Sequence, residues 1–286
     1  MIPPHSNAIS VVISTHQRPD ACERALRSAL NQTEPPLEVL VCDNGSTDET
    51  EARMHGWERR DERVRYLRMP RNSGTPATTR NLGIEHARGD WIAFLDDDDE
   101  WLPAKLAKQR AMVAAEGADA IATNALRSNG GTYAPDAPPI WHPTRLDVLK
   151  ANPIIMSSAL VRRELLLAVG GFPTDVRSKG FEDYAAWLEL AERGARFLVL
   201  GDALVRYEDG SADRLSTESA RIQVGVTRLV WKHALRTPSP ARIRTALRSS
   251  LAVGHVLGAG TWTWLGAQRR NRTRAPWSPA DRGAGR

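Results

Sequence analysis

Short apolar runs alternate with stretches of helical period along the first hundred residues. Ile9-Ser10-Val11-Val12-Ile13-Ser14-Thr15 is short and rich in β-branched residues, the pattern of a strand buried on both faces of a parallel sheet. From Pro19 to Leu30 the small and apolar positions Cys22, Ala25, Leu26 and Ala29 follow helical spacing, and Pro35-Pro36 ends that stretch. Leu37 to Cys42 predicts a second buried strand, ending at Asp43. Ser46-Thr47-Asp48-Glu49 then predicts a helix start with acids in its first turn. Arg63 to Leu67 predicts a third strand and Thr75 to Ala87 a helix. Trp91 to Leu95 predicts a fourth strand, which ends in Asp96-Asp97-Asp98-Asp99.

This β-α-β-α-β-α-β order implies an α/β fold, a mostly parallel sheet flanked by helices. Ligands of such sheets bind beyond the carboxyl ends of the strands. Thr15, Asp43 and Asp96 to Asp99 all fall at such ends.

The second half is less regular. Pro103 to Glu116 predicts a helix. Residues 128–143 are Gly- and Pro-rich and predict a loop carrying Trp141 and His142. Trp141 suits either packing or stacking on a ligand. Ser157 to Val161 predicts a short strand, Arg163 to Val169 a short helix closed by Gly170-Gly171, and Glu182 to Gly194 a longer helix. Phe197 to Leu200 and Leu204 to Tyr207 predict two late strands. A basic amphipathic helix over about 218–236 is broken by Pro238 and Pro240, and a second helix follows.

Charge changes the picture at this point. The chain of 286 residues carries a formal net charge of +5. Residues 1–220 hold 26 Lys and Arg against 33 Asp and Glu, whereas residues 221–286 hold 13 against the single acid Asp281. An acidic body with a basic tail points to an anionic surface as partner, membrane or nucleic acid. Ser249 to Gln268 is free of charge but includes four glycines, His255, Trp262 and Trp264. Flanked by Arg242, Arg244 and Arg248 and then by Arg269, Arg270, Arg272 and Arg274, it suits an interfacial helix on anionic lipid. A helix packed on the body or in a homo-oligomer, and a membrane span, are the alternatives. Residues 269–286 read as disordered. Cys22 and Cys42 are too few for a disulfide scaffold or a cysteine zinc site, and read as core thiols. Met1 to Ser10 lacks the pattern of a secretory signal, so a cytoplasmic location is expected, extending to the inner face of the plasma membrane.

Three acidic groups carry the candidate chemistry. Carboxylates about 4 Å apart repel by about 4 kcal/mol at an effective dielectric of 20, so the run Asp96 to Glu100 at a strand end calls for a cation. Its oxygens suit Mg²⁺ or Mn²⁺ together with substrate phosphates; a solvated acidic turn is the plainer alternative. Asp43 could accept hydrogen bonds from a base or ribose, or serve as a turn residue or helix cap. The pair Glu182-Asp183 opens a helix and suits a general base or a helix-start charge. The patterns of P-loop nucleotidases, dinucleotide-binding dehydrogenases, zinc peptidases and α/β-hydrolases are absent.

In this order, the segments Val11 to Pro19, Glu38 to Asp48, Asn72-Ser73-Gly74, Arg80 to Gly83, Gly89 to Asp99, Ser157 to Arg163, Gly170-Gly171-Phe172 and Glu182 to Leu188 resemble family 2 inverting glycosyltransferases of GT-A fold. The resemblance covers roughly 9–207. It implies a Rossmann-like mixed sheet with a basic helical C-terminal extension. Residues 1–99 would form the nucleotide-sugar half of the domain, 100–216 the acceptor half and 217–286 the basic tail. It further implies that Thr15 and Asp43 line the nucleoside pocket, Asp43 facing the base, with Asn44 beside it and Arg18 near. Asp96 and Asp98 would end a D-x-D motif, Asp98 as direct metal ligand. Asp96 or Asp97 would touch ribose or metal-bound water. Arg80 would back the acidic cluster, and Asp183 would be the catalytic base with Glu182 beside it.

The activity so implied is inverting transfer of a sugar from a nucleoside-diphosphate donor, UDP foremost, to a glycan or lipid-linked hydroxyl, assisted by Mn²⁺ or Mg²⁺. One departure stands out: many relatives place a histidine after the last strand, and Val205 to Ser211 contains none, leaving Arg206 and Arg214 as substitutes. A non-catalytic sugar-nucleotide-binding or scaffold protein of a glycan-assembly complex is the competing reading. Nucleic-acid binding is not expected, since the tail lacks the aromatic and Cys/His motifs of such modules.

Overall fold

The structure is a computed structural model that describes residues 7–128, 130–208 and 219–258. Its elements are β1 (Ile9–Thr15), α1 (Pro19–Leu30), β2 (Glu38–Asp43), α2 (Thr50–Glu58), β3 (Val64–Arg68), α3 (Pro76–His86), β4 (Trp91–Asp96), β5 (Glu100–Trp101), α4 (Lys105–Glu116), β6 (Ala120–Arg127), β7 (Ile140–Trp141), α5 (Arg145–Lys150), β8 (Leu160–Arg162), α6 (Arg163–Ala168), α7 (Glu182–Glu192), β9 (Phe197–Tyr207), α8 (Ser219–Arg236) and α9 (Pro240–Gly258).

The strands join one mixed sheet in the order β3-β2-β1-β4-β8-β6-β9-β5, with β7 also on β9. The first four are parallel, in register Thr15 with Asp43 and Ser14 with Asp96. These strand ends therefore lie level along one rim. Strand β8 runs antiparallel to both neighbours, and β6 and β9 are again parallel. Apolar residues on the two faces of β1 and β4 feed different cores. Val12, Ile92 and Phe94 pack with α3, α6 and α7, and Val11, Ile13, Ala93 and Leu95 pack with α1 and α4. The continuous apolar runs of the sequence reflect this burial on both sides.

The short strands β5 and β7 and helix α5 are additional to the sequence reading, and three further elements differ from it. Strand β6 was not predicted because Thr123 and Asn124 interrupt its apolar pattern. Both are buried, and the Asn124 amide is satisfied by the backbone N–H and C=O of Ala134 in the following loop. The two late strands are one: Gly201-Asp202 is taken up by a register shift opposite Thr123–Asn124 instead of a turn. Ser157 belongs to a 3₁₀ turn, Met156–Ser158, ahead of the strand it was expected to start.

The described part of the basic tail packs on the body. Helices α8 and α9 form an antiparallel pair, and Val230, Ala234 and Ala246 enter the core against α5 and α7. Glu189 and Glu192 of α7 collect Lys232, Arg236, Arg242 and Arg145. Among the described residues no helix is long and apolar enough to cross a membrane. Trp262, Trp264, Arg214 and residues 269–286 lie outside the described residues.

Candidate active site

A cavity of about 450 Å³ opens at the rim where β1 and β4 end. Its walls come from the loop after β1, the loop 72–76 before α3, the acidic loop after β4, the segment 152–156 and the residues that lead into α7.

The loop after β1 turns sharply. Gln17 adopts a left-handed φ of 53°, and its backbone N–H donates to Ser46 Oγ at 2.8 Å. His16 and Arg18 on either side consequently face the cavity. The loop after β2 is fixed from below. Gly45 has φ 75°, and a Cβ there would stand 2.6 Å from the Arg71 backbone, so the two loops touch through a bare glycine. Asn44 lines the cavity and ties both loops together, its amide donating to Asn72 Oδ1 and its carbonyl accepting from Ser73 N–H.

Asp43 departs from expectation. It does not line the cavity. Its carboxylate is fully buried and accepts from the N–H and Oγ of Ser46 and from the Tyr66 hydroxyl. Those bonds hold the 43–48 loop, the turn-residue role that the sequence also allowed. Beside this carboxylate, burial and the Asp43 charge push the Tyr66 phenol upward, so it remains a donor.

The four aspartates after β4 divide by environment. Asp96 and Asp98 open to the cavity. Asp97 is buried at its edge, accepting from Thr15 Oγ1 at 2.7 Å, and Arg18 reaches both Asp97 and Asp98 at 3.4 and 3.3 Å. Asp99 points inward, accepting from Ser157 Oγ and from the Glu208 N–H. Burial, and then the neighbouring carboxylates, raise Asp97 to about 7 and Asp99 to about 8. Asp97 is relieved in part by Thr15 and Arg18. The loop thus gathers four carboxyl groups with only oxygen donors, the ligand type that Mg²⁺ and Mn²⁺ prefer. Among the described residues no three metal-binding side chains close around one point. A cation here would draw on one or two carboxylates and leave positions for phosphate oxygens, as Mg²⁺ sites commonly do.

Arg80 links this loop to the far wall. Its guanidinium is buried and donates to Asp96 at 2.7 Å and to Glu182 at 3.0 Å. Despite the burial, those two acids hold it firmly charged. Glu182 also accepts from the Gly180 N–H, so the turn into α7 is locked. Asp183, the next residue, faces the cavity. It accepts from the Tyr184 N–H at 2.7 Å and from the Asn152 amide at 3.1 Å. Burial, and then the Glu182 charge, raise its carboxyl to about 6. A carboxylate so poised accepts protons near neutral pH.

Thr15, Arg18, Asn44, Arg80, Asp96, Asp97, Asp98, Glu182 and Asp183 accordingly share one cavity, and Asp43 stands behind it. Sequence reading missed His16, Asn72, Asn152, Lys179 and the edge-to-face pair Tyr133–Tyr207, all on the cavity wall. Lone polar and aromatic residues in irregular segments carry no periodic signal. Trp141 is not among the lining residues; it pairs on the sheet edge opposite Val199. Arg206 is exposed and does not line the cavity either.

A mixed sheet with converging acids at its carboxyl rim, and a second acid pair opening a helix across the cleft, defines a GT-A glycosyltransferase. The chain belongs to glycosyl transferase family 2, whose model matches residues 10–166. It is 30% identical over 206 residues to TuaG of Bacillus subtilis, named as a glycosyltransferase of teichuronic acid biosynthesis, covering 70% of this chain and 78% of that one. It is 28% identical over 218 residues to WfaP of Escherichia coli, a UDP-Glc:α-D-GlcNAc-diphosphoundecaprenol β-1,3-glucosyltransferase, covering 71% and 78%. Staphylococcus aureus TarS 1-349 in complex with UDP-GlcNAc shares the fold, with TM-score 0.73 at 20% identity over 88% of this chain and 76% of that one. A Pyrobaculum calidifontis mannosyltransferase in complex with GDP-Man and Mn²⁺ shares it at TM-score 0.64 and 20% identity, over 88% and 76%.

Proposed function

We propose that this glycosyltransferase moves a sugar from a UDP-sugar to a hydroxyl of a glycan or lipid-linked acceptor, with inversion, and that Asp183 is the general base. One observation carries the reading: Asp183 and the acidic loop face the same cavity from opposite walls, joined through Glu182 and Arg80. The names of WfaP and of the TarS complex favour a UDP donor, and that of WfaP favours a lipid-linked acceptor.

In this reading residues 1–99 hold the donor and 100–216 the acceptor, while 217–286 form a tail. Thr15, Arg18, Asn44 and Asp97 shape the nucleoside side. Asp98 and Asp96 would hold a divalent cation, which when bound neutralises charge on the donor diphosphate. Asp183 takes the proton of the acceptor hydroxyl. The oxygen attacks the anomeric carbon from the face opposite the nucleoside diphosphate. The bond to the diphosphate oxygen breaks, and the configuration inverts. No enzyme nucleophile is required. Asn152 and the Tyr184 N–H fix the base, and Arg80 donates to Glu182 beside it.

The test is thermal stability of the full chain with UDP, GDP, dTDP, CDP and ADP, each with and without Mn²⁺. A ligand at about 100 times its Kd adds about 2.7 kcal/mol of stability. The expected result is a shift with UDP that needs the metal and is lost in Asp98→Ala. A shift with another nucleotide replaces the donor. No shift with any of them overturns the donor reading.

A further inference from the structure

We propose that the outward face of α9 is a docking surface for an anionic lipid bilayer, formed by Arg244, Leu247, Arg248 and Leu251. Their spacing places them on one side of the helix. All four are exposed, and Leu247 and Leu251 stand 51% and 67% open to solvent. The opposite side of α9 is in the core through Ala246.

Charge is one-sided here. From Ser219 to Gly258 there are seven Lys and Arg and no Asp or Glu. Lys232, Arg236 and Arg242 are neutralised by Glu189 and Glu192 of α7. Arg244 and Arg248 pair with no carboxylate among the described residues. The α7 acids thus use up the cations that face the body and leave those beside the exposed leucines. Cations that flank exposed apolar side chains on one helical face match the boundary of an anionic bilayer, where the leucines enter the acyl edge and the arginines meet headgroups. Nucleic acid would use the arginines but give the leucines nothing. A second copy docked about a twofold axis would bring the same cations against each other.

The position of the face supports a role in presenting an acceptor, and that clause rests on the function proposed above. Helix α9 returns along α8: Ser249 Oγ meets Thr227 Oγ1 at 2.8 Å, and Trp231 Nε1 donates to Ser250 Oγ at 2.8 Å. The late turns of α9 therefore lie beside the early turns of α8. There Arg221 donates to the Lys179 carbonyl at 2.9 Å, and Lys179 lines the cavity close to Asp183 in sequence and in space. The helix that carries the face is thus tied through α8 to the segment that leads to Asp183.

The experiment is vesicle flotation of the full chain on pure phosphatidylcholine and on phosphatidylcholine with about 30% phosphatidylglycerol, at low and high salt. Wild type should float with the anionic vesicles, less at high salt, and stay behind with the neutral ones. At about 1 kcal/mol per cation, Arg244→Gln with Arg248→Gln should weaken binding about thirtyfold. Leu247→Ser with Leu251→Ser should weaken it at least about tenfold. Both doubles replace exposed side chains and should keep the wild-type Tm and the nucleotide-induced Tm shift. That shift reports on the donor site, so failure here and failure of the transferase reading are told apart. Failure to float, or flotation unchanged in either double, overturns the proposal. So does binding to duplex DNA that depends on the arginines and ignores the leucines, or a dimer by light scattering that the same substitutions dissolve.

Discussion

Gly225 of α8 lies flat against the ring of Phe181, so close that a Cβ would stand 2.4 Å from Phe181 Cε1 and Cζ. Phe181 is the residue before Glu182 and Asp183, so the tail sets the position of the turn that delivers the proposed base. Gly225→Val should push the ring, cost about 1–3 kcal/mol of stability and lower kcat by more than tenfold. Adding Phe181→Leu should restore most of the activity, since the clash and not the glycine is at fault. Steady-state kinetics of the two singles and the double decides it; equal loss in the double refutes the link.

Asp183 predicts the acid side of the pH–rate profile. Its carboxyl is raised to about 6 by burial and by the Glu182 charge, and only the ionised form accepts a proton. The rate should fall tenfold per pH unit below about pH 6 and level off above it. Asn152 donates to the ionised form and so favours it. Asn152→Ala should move the acid limb to higher pH, whereas a purely structural loss would lower the plateau and leave the limb in place. Asp183→Asn should abolish transfer and keep the nucleotide-induced Tm shift.

Arg80 stands between two acids inside the protein. Arg80→Met leaves the buried Glu182 and the half-buried Asp96 without their cation. The expected cost is about 3–5 kcal/mol in urea unfolding at neutral pH. Arg80→Met with Glu182→Gln should recover part of the deficit, because the buried charge then goes with its partner. A double no more stable than the single would show that packing, not charge, is what was lost.

His233 is buried at 3.6 Å from Glu189 and 3.9 Å from Glu192. Burial lowers it from 6.5 to about 4, with the Glu189 charge opposing. A depressed folded pKa means that the unfolded chain takes the proton first. Its contribution to stability is complete above pH 6.5 and is lost as pH falls toward 4. The Tm of wild type should therefore fall between pH 6.5 and 4 more steeply than that of His233→Gln. Parallel curves would place the acid sensitivity elsewhere.

The first hundred residues were legible because burial on both faces leaves their strands as unbroken apolar runs. Ile9–Thr15 and Trp91–Leu95 are found within a residue of their predicted bounds. Acids at strand ends marked the cavity for the same reason, since nothing apolar competes with them there. The second half of the fold was harder to read. Asn124 looks like a loop residue until Ala134 comes round to satisfy it, and Gly201-Asp202 looks like a turn until β6 supplies the register shift. Asn152 gains meaning only from Asp183, 31 positions away. Asp43 was placed at the right strand end, but which way its carboxylate turns depends on Ser46 and Tyr66.

The single guanidinium of Arg80 answers to both walls of the cleft, and that has a thermodynamic consequence. Any ligand that competes for Asp96 frees the guanidinium toward Glu182, and any that competes for Glu182 frees it toward Asp96. A ligand at Asp96 and a ligand at Glu182 would thereby be coupled through one charge, and reciprocity requires that each change the other's affinity by the same factor.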